Sequence, residues 1–187
     1  MKEIKRDLQK VLEEKIGSGK VLILIGPRQV GKTTLLRKIL SENFENNSVQ
    51  YWNCDEVEVR KILSEESSSR FKSLIGSSKF IVIDEAQRIQ NIGLKLKILH
   101  DNFPEVQIAV TGSSSLDLSN TINEPLTGRK FEYNLFPFST NELVLNSNML
   151  DEMKRLENRL VYGFYPDVVN NPGGEKEILS NIVSSYL

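Results

Sequence analysis

Apolar residues along the chain fall into two rhythms, short unbroken runs and stripes at helical spacing. "VLILIG" (21–26), "KFIVIDEA" (79–86) and "VQIAVTGSSS" (106–115) are continuously apolar before they turn polar, which predicts strands buried on both faces. "SVQYWNCD" (48–55) and "FEYNLFPF" (131–138) read as two further strands. Between them apolar residues recur three and four apart. They group as Ile4/Leu8/Val11/Leu12, as Leu35/Leu36/Ile39/Leu40 in a helix from Gly31 to about Glu42, and as Ile92/Leu96/Leu99/Phe103. Each set lines one face of a helix. Two shorter helical pieces, Val59–Leu63 and Phe71–Ile75, flank the polar run "SEESSSR" (64–70), and "GSGK" (17–20) ends the first helix. After Ser139 the pattern is helical only: "STNELVL" (139–145), then Met153/Leu156/Leu160, then Ile178/Ile182/Tyr186.

Strands alternating with helices predict an α/β protein, three layers deep around a mainly parallel sheet. The expected division is a core over 1–138 and a helical appendage over 139–187. An apolar Ile178/Ile182/Tyr186 face left bare at the end of the chain predicts a further domain beyond it.

Composition narrows the setting. A length of 187 residues accommodates one substantial core. The formal charge of −1 supplies no basic field, so nucleic acid is not indicated. Cys54 is the sole cysteine, which excludes an internal disulfide and a cysteine zinc site, and it is expected half-buried on a strand. No apolar run approaches the ~20 residues of a membrane span. The N-terminal "MKEIKRDLQKVLEE" lacks an apolar signal core, so a cytoplasmic protein is expected.

The candidate chemistry begins at "GPRQVGKT" (26–33), which fits G-x-x-x-x-G-K-[ST] completely. Phosphate oxygens need donors on several sides, and successive backbone N–H groups in a tight loop provide them. The loop Gly26, Pro27, Arg28, Gln29, Val30, Gly31, Lys32, Thr33 and Thr34 is therefore the expected nucleotide cradle, opening a helix whose N-terminus favours anions. Lys32 would reach the β- and γ-phosphates, Thr33 would complete a Mg²⁺ shell, and Thr34 would face the α-phosphate. A chance match in a chain this long is about one in a hundred on average residue usage. The strand before the loop and the helix after it lower that further.

At the end of the third strand Asp84 is placed to hold Mg²⁺ opposite Thr33, and Glu85 to activate water. Strand alternation would send the two to opposite faces. The competing reading is a charged strand end meeting solvent. Thr111, Ser113 and Ser114 end the fourth strand as γ-phosphate sensors or, equally, as the N-cap of a following helix. The chain has no N-K-x-D, and Gln87 stands where a D-x-x-G switch needs glycine, so a GTPase is disfavoured. Arg28, Arg88 and Arg129 keep a small-molecule kinase open. His100 reads as structural, and Tyr51/Trp52 as packing in preference to a base-stacking pair.

With "GPRQVGKTTLL", "IDEAQ", "TGSSS", "LTGR", "LFPFS-x-x-EL" and "GFYPDVV" in this order, the chain resembles a prokaryotic AAA-type P-loop ATPase family whose ATPase domain precedes a C-terminal domain of unknown function. The resemblance covers residues 18 to about 170. It implies a sheet of order 5-1-4-3-2 and MgATP as ligand, with Lys32 and Thr33 as anchors, Asp84 for the metal and Glu85 for water. It also implies Arg129 as a finger or sensor, acting in cis or from a neighbouring copy, against a plain reading as a solvated arginine. A homo-oligomer or the C-terminal domain would then complete the site. Phe164 departs from the family's Gly-Gly-Tyr-Pro turn, and members run about twice this length, which suggests an N-terminal fragment. The functions expected are an ATP-hydrolysing switch or motor, an ATP-sensing scaffold that hydrolyses slowly, or phosphoryl transfer to a small acceptor.

Overall fold

A computed structural model, which describes residues 4–64, 67–113 and 121–184, forms its sheet from five parallel strands. These are β1 (Val21–Ile25), β2 (Val49–Asn53), β3 (Phe80–Asp84), β4 (Gln107–Gly112) and β5 (Lys130–Asn134), in the order β2-β3-β4-β1-β5. Every strand pair is parallel. The expected order is observed, and the sheet is wholly parallel where mainly parallel was expected.

The unbroken apolar runs are explained by helices on both faces. Ile23, Ile25, Ile81, Ile83, Ile108 and Val110 share one core with residues of α3 (Val57–Ser64), α4 (Ser68–Ile75) and α5 (Ile92–Asn102). Leu22, Leu24, Phe80, Val82 and Ala109 alternate to the other face, against Leu12 of α1 (Asp7–Glu13) and Leu35, Leu36 and Ile39 of α2 (Lys32–Asn43). β2, at one edge, is only half-buried along its length. Cys54 lies one residue past β2 and is fully buried, its N–H donating to Asp84 O at 3.0 Å. The expected half-buried strand position is therefore corrected.

The N-terminal stripe is shorter than its pattern. α1 starts at Asp7, because Arg6 is extended and its guanidinium is drawn into a buried ion pair with Glu142 at 3.1 Å. Ile4 precedes the helix and Val11 is exposed, while Gln9 and Leu12 turn inward.

Beyond β5 the chain is helical: α6 (Thr140–Asn146), α7 (Met149–Lys154), α8 (Leu156–Tyr162), α9 (Pro166–Asn170) and α10 (Glu175–Ser184). Ser139 and Glu142 form a reciprocal capping box that starts α6. Met153, Leu156 and Leu160 are not inward-facing as their spacing suggests; all three are exposed. Arg155 breaks the helix between them, and the inward positions carry the buried Glu152–Arg159 pair at 3.3 Å. Of the face expected bare, Ile182 is buried and Ile178 half-buried, and Tyr186 lies outside the described residues. The turn before α9 is made by Gly163 alone, at φ +76°. Phe164 follows at negative φ, and its carbonyl accepts from Phe138 N at 2.9 Å. No helix among the described residues is long and apolar enough to cross a membrane.

Candidate active site

The loop from Gly26 to Thr34 leaves the C-terminal end of β1 and enters α2, where open parallel sheets place their ligands. Its two glycines are needed for different reasons. A Cβ on Gly26 would lie 2.2 Å from the carbonyl oxygen of Leu135, so the chain leaving β5 packs directly on the loop. Gly31 has open space but adopts φ +98°, a conformation L-residues avoid. Lys32 is buried, with Nζ donating to the carbonyls of Gly26 (2.8 Å) and Pro27 (2.9 Å). Burial lowers its pKa from the ordinary lysine value, opposed by the nearby Glu85 and Asp84 carboxylates. The ammonium is thus held on its own loop by two carbonyl partners.

Thr33 Oγ1 donates to Asp84 Oδ2 at 2.9 Å. Two further hydroxyls converge on the same carboxylate: Tyr51 on Oδ2 and Thr111 on Oδ1. Burial, then the hydrogen bond to Asp84, pushes the Tyr51 phenol well above its ordinary range, so it stays a donor. Glu85 is not part of the strand. It sits one residue beyond, in the left-handed region at φ +55°, and its N–H donates to Thr111 Oγ1 at 3.1 Å. The separation of the Asp84 and Glu85 side chains therefore comes from this turn and not from strand alternation. Gln87, in the short 3-10 turn Ala86–Arg88, donates Nε2 to Glu85 Oε2 (2.5 Å) and to Ser113 Oγ (3.0 Å).

A cavity of about 300 Å³ joins the loop to Glu85. Arg28, Gln29, Gly31, Lys32, Thr33, Thr34 and Glu85 line it, with Pro166, Asp167 and Asn170 of α9 closing one wall. A second cavity of about 270 Å³ adjoins it through Gly31, Thr34, Pro166 and Asn170, and is walled by Ile4, Arg6, Val30, Leu35 and Phe138. A wider cavity of about 700 Å³ opens among α6 to α10, but the Glu152–Arg159 and Glu152–Arg155 pairs there already satisfy one another.

The donor set fits Mg²⁺. Its ligands lie at about 2.0–2.1 Å in an octahedron, which sets neighbouring ligand oxygens roughly 2.9 Å apart. Thr33 Oγ1 and Asp84 Oδ2, hydrogen-bonded to each other at 2.9 Å, are the hard oxygens that would hold it. The described residues hold no group of three or more His, Cys, Asp and Glu.

Lys32, Thr33, Asp84 and Glu85 are therefore brought together, with Thr111 beneath them. Thr111 has its proton engaged on Asp84, and the Ser113 hydroxyl, just past β4, accepts from Gln87. Ser114 and the helix it would cap lie outside the described residues. Arg129 is not brought in. It precedes β5 at the amino end of the sheet, where its carbonyl accepts from Val21 N and its guanidinium pairs with Asp101 at 2.8 Å. The five residues of β5 put about 16 Å between that end and the loop. His100 belongs to the same distant cluster, bonded to Asp101 and to Gly19 O. Sequence reasoning missed Tyr51, whose strand position gave no hint of its hydroxyl partner. It also missed Gln87 and the α9 wall, although "IDEAQ" and "GFYPDVV" had been singled out.

The chain is 26% identical to the uncharacterized protein MJ1544 of Methanocaldococcus jannaschii, over 95% of its own length and 42% of that protein's. It is 32% identical to the uncharacterized protein Rv2008c of Mycobacterium tuberculosis, over 67% of its own length and 27% of that protein's. It thus spans less than half the length of these curated relatives. Among solved structures its fold is similar to the Walker-type ATPase paby2304 of Pyrococcus abyssi, with a TM-score of 0.64 at 19% identity, covering 89% of this chain and 65% of that one. A signal transduction ATPase with numerous domains from Pyrococcus horikoshii, PH0952, aligns with a TM-score of 0.56 at 16% identity over 90% of this chain and 29% of its own. The AAA domain family matches residues 18–144, and with the parallel sheet and phosphate loop described above the chain belongs to the AAA-type P-loop ATPases.

Proposed function

We propose that the chain binds MgATP in the two joined cavities and hydrolyses it to ADP and phosphate. The observation that carries this is the convergence of Lys32, Thr33, Asp84 and Glu85 at the carboxyl end of the sheet. The phosphates lie along residues 26–34, and the base occupies the more apolar cavity between Val30, Leu35 and Phe138. Lys32 leaves its loop carbonyls to neutralise the β- and γ-phosphates. Thr33 and Asp84 would hold Mg²⁺, which supplies charge neutralisation at the transferring group. Glu85 takes a proton from water as the water oxygen attacks the γ-phosphorus, and the bond from that phosphorus to the bridging oxygen breaks to release ADP.

Arg6 links the base cavity to α6 through Glu142, and α9 forms one wall of the phosphate cavity. That arrangement supports a switch, in which nucleotide state is passed to the C-terminal helices. The position of Arg129 favours slow intrinsic turnover, or a site completed by an arginine from a neighbouring copy. Equilibrium binding of a fluorescent ATP analogue, with and without Mg²⁺, tests the reading. Wild type is expected to bind and Glu85→Gln to bind at least as tightly, while Lys32→Ala loses binding. Equal affinity in Lys32→Ala and wild type would overturn the assignment.

A further inference from the structure

We propose that Gln87 is a positioning residue for the water-activating carboxylate, tying Glu85 to the end of β4 through Ser113. The inference rests on Glu85 acting as the base, as proposed above.

The Gln87 amide nitrogen carries two hydrogens, and both are used: one on Glu85 Oε2 at 2.5 Å, the other on Ser113 Oγ at 3.0 Å. The amide cannot be turned over, since its oxygen would then face a carboxylate. In the orientation observed, Gln87 Oε1 is buried and has no donor among the described residues. A buried acceptor without a partner costs stability, and such a cost is accepted where the other end of the group is in use. The left-handed turn at Glu85, followed by the 3-10 turn Ala86–Arg88, brings Gln87 back over the carboxylate. Thr111 anchors the Glu85 backbone at 3.1 Å, and the amide holds its carboxylate.

Ser113 adds coupling. Its hydroxyl accepts from Gln87 and has no acceptor of its own among the described residues, which leaves its hydrogen for a γ-phosphate. Any change of partner at Ser113 then shifts the amide, and with it the Glu85 rotamer.

Gln87→Met keeps the length and removes both donors; Gln87→Glu keeps the shape and sets a second carboxylate against Glu85. Steady-state ATP turnover, affinity for a fluorescent ATP analogue with Mg²⁺, and Tm are measured for both. The expected result is a kcat reduced about 10–100-fold in Gln87→Met and further in Gln87→Glu, less than the roughly 10²–10⁴-fold a general base contributes, since the base is displaced and not removed. KM and nucleotide affinity stay within twofold, and Tm does not fall in Gln87→Met. Ser113→Ala by itself lowers kcat, and by a smaller factor in the Gln87→Met background than in wild type, because the two residues share one contact. Wild-type kcat in Gln87→Met, near-wild-type kcat in the isosteric Gln87→Glu, or parallel losses of affinity and Tm would overturn the proposal. Turnover by wild type that Glu85→Gln leaves unchanged would instead overturn the role of Glu85, and Gln87's with it.

Discussion

Replacing Glu142 with leucine removes one end of the contact that ties the N-terminal segment, the phosphate loop and α6 together. Glu142 Oε1 accepts from Arg6 Nε at 3.1 Å and from Asp7 N at 2.8 Å; Oε2 accepts from Ser139 N at 2.9 Å. Arg6 also donates to the carbonyls of Val30 and Phe136 and lies over the Phe138 ring at 4.7 Å. Both charged groups are more than nine-tenths buried. Burial already lowers the Arg6 pKa from its usual value, and the Glu142 charge is what opposes that. Removing one partner of a buried pair costs about 3–5 kcal/mol, since the other charge is left uncompensated. At about 2–4 °C per kcal/mol for a chain of this size, Glu142→Leu should lower Tm by about 6–20 °C. Arg6→Met/Glu142→Leu removes both charges and should be less destabilised than Glu142→Leu alone. Thermal unfolding followed by circular dichroism, for wild type, both single variants and the double variant, reads the cycle. A Glu142→Leu Tm within 2 °C of wild type, or a double variant as unstable as the sum of the singles, would refute the reasoning.

The rest of the site yields checks of the same kind. Asp84→Asn should abolish the gain in ATP-analogue affinity that Mg²⁺ gives wild type, read by fluorescence titration at varied Mg²⁺; an unchanged Mg²⁺ dependence would place the metal elsewhere. Gly26→Ala puts a methyl against the Leu135 carbonyl and should cost about 1–3 kcal/mol in urea unfolding, with nucleotide affinity lost as the loop shifts. A wild-type unfolding midpoint would refute that close packing. Burial first, then the Asp84 and Asp55 carboxylates, pushes the Cys54 thiol up to about 12. A thiol-specific disulfide reagent at pH 8 should therefore leave the native chain unlabelled and label it fully in denaturant. Rapid labelling of the native chain would contradict the burial.

The sheet was legible because parallel strands covered on both faces leave unbroken apolar runs, and because "GPRQVGKT" carries its chemistry in its spacing. The C-terminal helices were not. Met153, Leu156 and Leu160 repeat at helical spacing yet face outward, since the local core is the Glu152–Arg159 pair, and apolar periodicity says nothing about buried charges. Asp84 and Glu85 could be named from their position after the third strand. The left-handed turn that separates them is set by tertiary contacts to Thr111, and the Tyr51 hydroxyl reaches Asp84 from the neighbouring strand. Arg129 illustrates the converse: a motif position alone gave no sign that β5 would carry it to the far end of the sheet.

Phosphate release from ATP in the presence of Mg²⁺, measured for wild type beside Lys32→Ala and Glu85→Gln, tests the central claim most directly. The account predicts steady release by wild type, loss of both binding and release in Lys32→Ala, and a fall of about 10²–10⁴-fold in Glu85→Gln with ATP still bound. Release by Glu85→Gln at the wild-type rate would contradict it.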